Sequence, residues 1–195
     1  MKEAPAGGAR LRGLPPVIGP EAKALALGSF PSAASIAAAC YYAHPRNQFW
    51  PILAAAWSEA FPEDLRSRSA WALGHGLGIW DSLSACVRPG SLDGDIREAE
   101  PNDVAGLLRA WPTVSRVLAN GTASARWLRV AITRAGHGHS LEVGGSSRTA
   151  LLRLPDKREL EVFFLPSTSP VPSREFRRIE DKLPLWLEAL SGLSP

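Results

Sequence analysis

The residues of this chain best placed to do chemistry are a side-chain amide and its aromatic neighbours. Tyr41-Tyr42-Ala43-His44-Pro45-Arg46-Asn47 follows a short apolar run and a Gly-Ser-Phe-Pro-Ser turn, and Phe49 and Trp50 come directly after it. Aromatic faces stack on flat rings, and an amide orients a water or reads the edge of a base. The same residues also suit packing between a strand and a helix. For Phe49 and Trp50 packing is the expected role, because large aromatics mostly serve cores. For Tyr42 and Asn47 both readings stand.

Other candidates carry less. His137 and His139 in GHGHS have no third ligand nearby, so no metal site is expected. Asp93 and Asp95 read as turn and capping groups. Gly28-Ser29-Phe30-Pro31-Ser32 lacks the further glycines of a dinucleotide loop and the lysine of a phosphate loop. No Gly-x-Ser-x-Gly elbow offers a serine nucleophile. Two cysteines, Cys40 and Cys86, cannot form a four-thiolate centre and are expected to be reduced and buried. No cofactor is expected.

The elements that must hold the amide segment can be read from the apolar runs. Ala24 to Leu27, Leu77 to Leu83, Val114 to Leu118 and Leu160 to Leu165 are predicted strands. Helices are predicted over Phe49 to Ala60, from an Asn102 or Asp103 cap to Trp111, over Thr122 to Ile132, and over Arg174 to Leu190 with a break at Pro184. Strands alternating with helices imply a single three-layer α/β/α domain on a central, mainly parallel four-stranded sheet. The strands then end in four loops on one edge, GSFPS, WDSLSAC, LANGTAS and LPSTSP, where open parallel sheets place their ligands. Ala135 to Arg158 reads as a glycine-rich loop with an added hairpin. Residues 1–20 are expected to form a loose leader packing through Leu14 and Ile18, and 21–195 the domain.

At 195 residues the chain suffices for one well-buried domain. The net charge is +3, and arginines greatly outnumber lysines, which permits a polyanionic partner without demanding one. The N-terminus has no apolar signal core and no run is long enough to span a bilayer. A cytoplasmic, monomeric protein with no membrane partner is expected.

Taken together, GSFPS, YYAHPRNQFW, GIWDSLSAC followed by GSLDGDI and PND, the ANG strand end, and LPSTSP resemble the uracil-DNA glycosylase superfamily, most closely its hypoxanthine-DNA (deoxyinosine) glycosylase branch. The resemblance runs along most of the chain and implies the same single α/β/α domain. It implies a monofunctional base-excision enzyme acting on double- or single-stranded DNA that carries a deaminated base, associated with the nucleoid when at work. Uracil or mismatch excision by the same fold, and a catalytically weak lesion binder, are the alternatives.

The resemblance also implies roles. Many branches carry Asn or Asp where Phe30 stands, and in the deoxyinosine branch the catalytic amide comes from the HPRN segment, here Asn47. Tyr42, with His44 beside it, falls where relatives stack an aromatic on the flipped base. Asn120 matches a position that reads the base edge, and the Gly28-Ser29 backbone would stabilise the leaving base. Ser167, Thr168 and Ser169 would grip the DNA backbone, with Arg46 or Arg174 adding charge and Val171 as a small wedge. The chain departs from the branch at Val171-Pro172, where Ala-Asn is common, and in a longer, arginine-rich stretch before LPSTSP.

Overall fold

The computed structural model describes residues 9–136, 140–143, 148–171, 173 and 175–193. His137, His139, Pro172 and Arg174, singled out from the sequence, lie outside the described residues. In chain order the elements are β1 (Arg10–Arg12), β2 (Ala24–Gly28), α1 (Ala33–Ala38), α2 (Phe49–Trp57), α3 (Leu65–Gly74), β3 (Leu77–Asp81), β4 (Leu83–Val87), β5 (Arg97–Pro101), α4 (Val104–Ala110), β6 (Arg116–Asn120), α5 (Thr122–Arg134), β7 (Ser140–Val143), β8 (Thr149–Arg153), β9 (Glu159–Leu165) and α6 (Ile179–Leu190).

The main sheet has the order β3-β2-β6-β9-β8-β7. Its first four strands are mutually parallel and are the four predicted from apolar runs. Every residue of β2 and β3 is buried, as expected of strands covered on both faces. The helix assignment to the two faces follows from handedness. The crossover from β2 to β3 runs one way along the sheet, whereas those from β3 to β6 and β6 to β9 run the other. Right-handed connections therefore put α1 to α3 on one face and α4 and α5 on the opposite one. Accordingly α4 packs on α5, and α6, which follows β9, packs on α2. Between the layers lie Leu25, Leu27, Ile79, Leu118 and Val162, with Phe49, Trp50 and Trp186 from the helices.

In its strands and N-terminal segment the structure departs from the sequence expectation in four places. The sheet has six strands, because β7 and β8 form a hairpin whose second strand pairs antiparallel with β9. The predicted strand Leu77 to Leu83 breaks at Ser82, and β4 leaves for a separate three-stranded antiparallel sheet, β1-β4-β5. The strand predicted at Val114 begins at Arg116, because the Val114 amide still donates to Trp111 O and prolongs the turn after α4. Residues from 10 onward are not a loose leader. Arg10–Arg12 pairs with β4, and Val17 exchanges two 2.8 Å backbone hydrogen bonds with Ile79 at the sheet edge. Leu14 and Ile18 do pack on the core, and the Ile18 side chain sits over Gly78, where a Cβ would lie 2.6 Å from it.

Both cysteines are buried free thiols. Pro184 neither breaks nor restarts the last helix and is accommodated inside α6. Among the described residues no helix is long and apolar enough to cross a membrane.

Candidate active site at the strand ends

The parallel strands reverse their order of addition between β2 and β6. That switch point opens a crevice at the carboxyl ends of the strands, where ligands of open α/β sheets bind. A cavity of about 180 Å³ occupies it. Gly28, Ser29 and Phe30 come from the end of β2, and Asp81 from the end of β3. Asn120 closes β6, and Ser167 to Val171 follow β9. Tyr42, His44 and Asn47 form the remaining wall. The structure thus gathers the sequence-predicted residues in one place except Arg46, which is exposed and outside the lining, and Arg174, which is not described.

The amide segment is held by two serine hydroxyls. Ser32 caps α1 through its hydroxyl, which accepts from Ser35 N at 3.1 Å, and Ser35 Oγ accepts from Ala43 N at 3.2 Å. Tyr42 then adopts φ +52°, a left-handed conformation that costs a bulky residue about 1–2 kcal/mol. It places the Tyr42 ring against Phe49, with centroids 3.8 Å apart and planes at 22°, and edge-on to Trp50. Tyr41 also lines the cavity, and its hydroxyl donates to Leu14 O and Pro15 O, both at 3.1 Å. Asn47 Oδ1 accepts from Phe49 N at 2.9 Å and so secures the start of α2. That carbonyl keeps a second lone pair, and the two N–H groups of Nδ2 are not needed by the helix.

The loop after β9 is locked to the same segment by a chain of hydrogen bonds. Asn120 Nδ2 donates to Thr168 Oγ1 and Asn120 Oδ1 accepts from Thr168 N, each at 2.9 Å. Thr168 O accepts from Gln48 N at 2.9 Å, and Gln48 Oε1 accepts from the Lys182 ammonium at 2.6 Å. Burial lowers the Lys182 pKa from its ordinary value. Ser167 and Ser169 are oriented by local bonds, Ser169 N to Ser167 Oγ at 3.2 Å and Val171 N to Ser169 Oγ at 3.3 Å. Asn120 is therefore half committed to Thr168 before any ligand arrives.

Several lining residues were not singled out from sequence. Asp81 is 3% exposed, and its Oδ2 is buried without a hydrogen-bond partner. The buried Tyr42 hydroxyl likewise has none. Burial, the charge of Asp93 and only partial relief from Arg88 push the Asp81 carboxyl up to about 8. Burial and then Asp81 raise the Tyr42 hydroxyl as well, so it stays protonated. Arg88 is buried, donates to Pro31 O and lies over the Phe30 ring at 5.1 Å. Asp93 accepts from Ser29 Oγ at 2.5 Å, tying the loop after β4 across the cavity mouth. In that loop Leu92 is 52% exposed, and Val171, in the loop after β9, is 53% exposed. The signal for Asp81 was its place at the end of a buried strand; nothing in the sequence marked Leu92.

No protein-family model matches the chain. A curated hypoxanthine DNA glycosylase from Methanosarcina acetivorans is 33% identical over 154 residues, covering 77% of this chain and 94% of that protein. A second, from Methanosarcina barkeri, is 35% identical over 121 residues, covering 60% of this chain and 74% of that protein. The solution NMR structure of a "putative Uracil DNA glycosylase" from M. acetivorans superposes with a TM-score of 0.70 at 25% identity, over 95% of this chain and 99% of that one.

Proposed function

The chain belongs to the hypoxanthine DNA glycosylase family, within the uracil-DNA glycosylase superfamily, and we propose that it excises hypoxanthine from DNA by hydrolysing the N-glycosidic bond of deoxyinosine. The observation that carries this reading is the single cavity at the switch point, which brings Asn47, a stacked tyrosine and the serine-rich loop after β9 to one base-sized space. A base inside a duplex is out of reach of such a pocket. The nucleotide must be flipped out, at a cost of about a few kcal/mol.

Flipping leaves the sugar and phosphates at the rim. Ser167 and Ser169, with backbone amides of their loop, suit phosphate oxygens, and Arg46 adds charge beside them. Arg174 is assigned the same task from its place in the sequence. Val171 and Leu92, both exposed and both in the lining, suit insertion into the stack that the base has left. Asn47 orients the attacking water toward C1′, Phe30 and Tyr42 flank the base with His44 at the edge, and Asn120 reads its polar side. The Gly28-Ser29 backbone supports the leaving base as negative charge builds on it.

Among the described residues no lysine lines the cavity, and the Lys182 amine is held by Gln48. Water rather than an enzyme amine is therefore the nucleophile, and no strand cleavage accompanies excision. One chain supplies all four strand ends, so a monomer acting inside the cell suffices.

The test is a panel of duplexes carrying inosine, xanthine or uracil, treated with the wild type and with Asn47→Ala and cleaved at abasic sites. Wild type should release hypoxanthine fastest, and Asn47→Ala should lose excision while still binding the inosine duplex. Faster release of uracil would transfer the substrate assignment to the activity named for the NMR structure. Excision by Asn47→Ala within a few-fold of wild type would remove catalysis from that residue.

A further inference from the structure

We propose that Asp81 is a catalytic acid: it meets the departing base at the floor of the cavity and gives it a proton as the glycosidic bond breaks. The inference rests on the reading of the cavity as a base pocket and adds a group to it.

The argument begins from depth. When a nucleotide is flipped, the sugar and phosphates stay at the rim and the base goes deepest. Of the carboxyl and amide side chains that line the cavity Asp81 is the least exposed, at 3% and at the end of β3, whereas Asn47 is only half-buried. Asp81 Oδ2 and the Tyr42 hydroxyl are both buried without partners. Buried polar atoms are seldom left unpaired, and two that line one cavity suit a ligand that supplies the bonds. Space is kept for the carboxyl as well: a Cβ on Gly28 would lie 2.1 Å from Asp81 Oδ1 and 3.3 Å from the Tyr42 hydroxyl oxygen. The main chain behind it is pinned, since Asn102 Nδ2 donates to Asp81 O at 2.8 Å.

Charge decides which form of the carboxyl is useful. The C1′–N9 electron pair leaves with the base, so negative charge builds on its ring nitrogens and carbonyl oxygen. An ionised carboxylate beside them would oppose the reaction, whereas a protonated one supports it. The groups facing Asp81 favour the protonated form. Asp93 from the loop after β4 raises its pKa, Arg88 from the end of β4 opposes this in part, and Tyr41 and Tyr42 are neutral phenols. With burial as the largest cause, the carboxyl is pushed up to about 8 and holds its proton at neutral pH.

The balance closes without a further reactant. Asp81 transfers its proton to the base, which leaves neutral. Water adds to C1′ and releases a proton to solvent, and solvent returns one to Asp81. The products are hypoxanthine and an abasic deoxyribose.

Asp81→Asn keeps the shape and one donor but cannot transfer a proton. In kcat/KM measured on an inosine duplex, the wild type should fall about tenfold per pH unit above about 8, with a flat region below. Asp81→Asn should be about a hundredfold or more slower at pH 7, should lack that limb, and should bind the duplex as wild type does. Thermal unfolding provides the companion measurement. The folded-state pKa lies above the unfolded value, so wild-type stability should decline between about pH 4 and about pH 8, and Asp81→Asn should lose that slope. Asp81→Asn within threefold of wild type, or slower but retaining the alkaline limb, overturns the proposal and leaves the glycosylase reading intact. A wild type that releases no base from any lesion duplex removes that reading, and this proposal with it.

Discussion

A side chain at position 28 and the carboxyl of Asp81 cannot occupy the strand ends together, because a Cβ there would stand 2.1 Å from Asp81 Oδ1. Gly28→Ala should therefore displace the carboxyl, lower excision by at least tenfold and cost about 1–3 kcal/mol in chemical denaturation, as overpacking does. In an Asp81→Ala background most of that stability cost should vanish, which a double-mutant cycle measures directly. Tyr42→Phe removes a buried hydroxyl that has no partner in the free protein, so stability should hold or rise slightly while excision falls. At this scale the sequence was uneven. Asn47, Tyr42 and Thr168 stand in recognisable motifs, and the structure brings them together. Asp81 does not stand out in the sequence, because the predicted strand Leu77 to Leu83 runs through it, whereas in the structure the strand ends on it. Its weight comes from burial and from the missing side chain of Gly28, a contact between positions far apart in the chain.

Two helices take part in the site without lining it. α2 starts on Asn47 and α6 sends Lys182 to the Gln48 side chain, while the Gln48 backbone N–H donates to Thr168 O, so the packing of α6 on α2 is transmitted to the loop after β9. Gln48→Ala would leave the buried Lys182 ammonium without its acceptor and cost about 1–3 kcal/mol. Lys182→Met combined with Gln48→Ala should recover part of it. Both variants should slow excision more than they weaken DNA binding, a split read from single-turnover rates against anisotropy. Element positions were legible where periodicity was long, as in α5. They failed where tertiary bonds set the boundary. α6 begins at Ile179 rather than Arg174 because the Asp181 carboxylate accepts from the amides of Arg177 and Arg178, at 3.0 and 2.9 Å. α3 was missed because its residues show little apolar stripe, although Asp64 caps it by accepting from Arg66 and Ser67.

Over the whole molecule the parallel four-strand core was legible, because continuous apolar runs between helices leave few alternatives. The second sheet was not, since β5 is mostly exposed and is placed by pairing with β4 rather than by its own pattern. DNA affinity should depend on phosphate contacts at the rim, so its logarithm should fall linearly with the logarithm of salt concentration, with a shallower slope in Arg46→Ala. The strands whose ends bring residues to the cavity finish at Gly28, Asp81, Asn120 and Leu165, far apart along the chain. Their pairings are parallel, so none can be made by a local hairpin, and long loops must close before any is rewarded. Folding should accordingly be slow for a chain of this size. A partly synthesised chain, lacking β9 and the loop beyond it, should be unable to excise a base. On dilution from denaturant, excision should return no sooner than the slowest phase of tryptophan fluorescence, so that assembly of the sheet times the onset of activity.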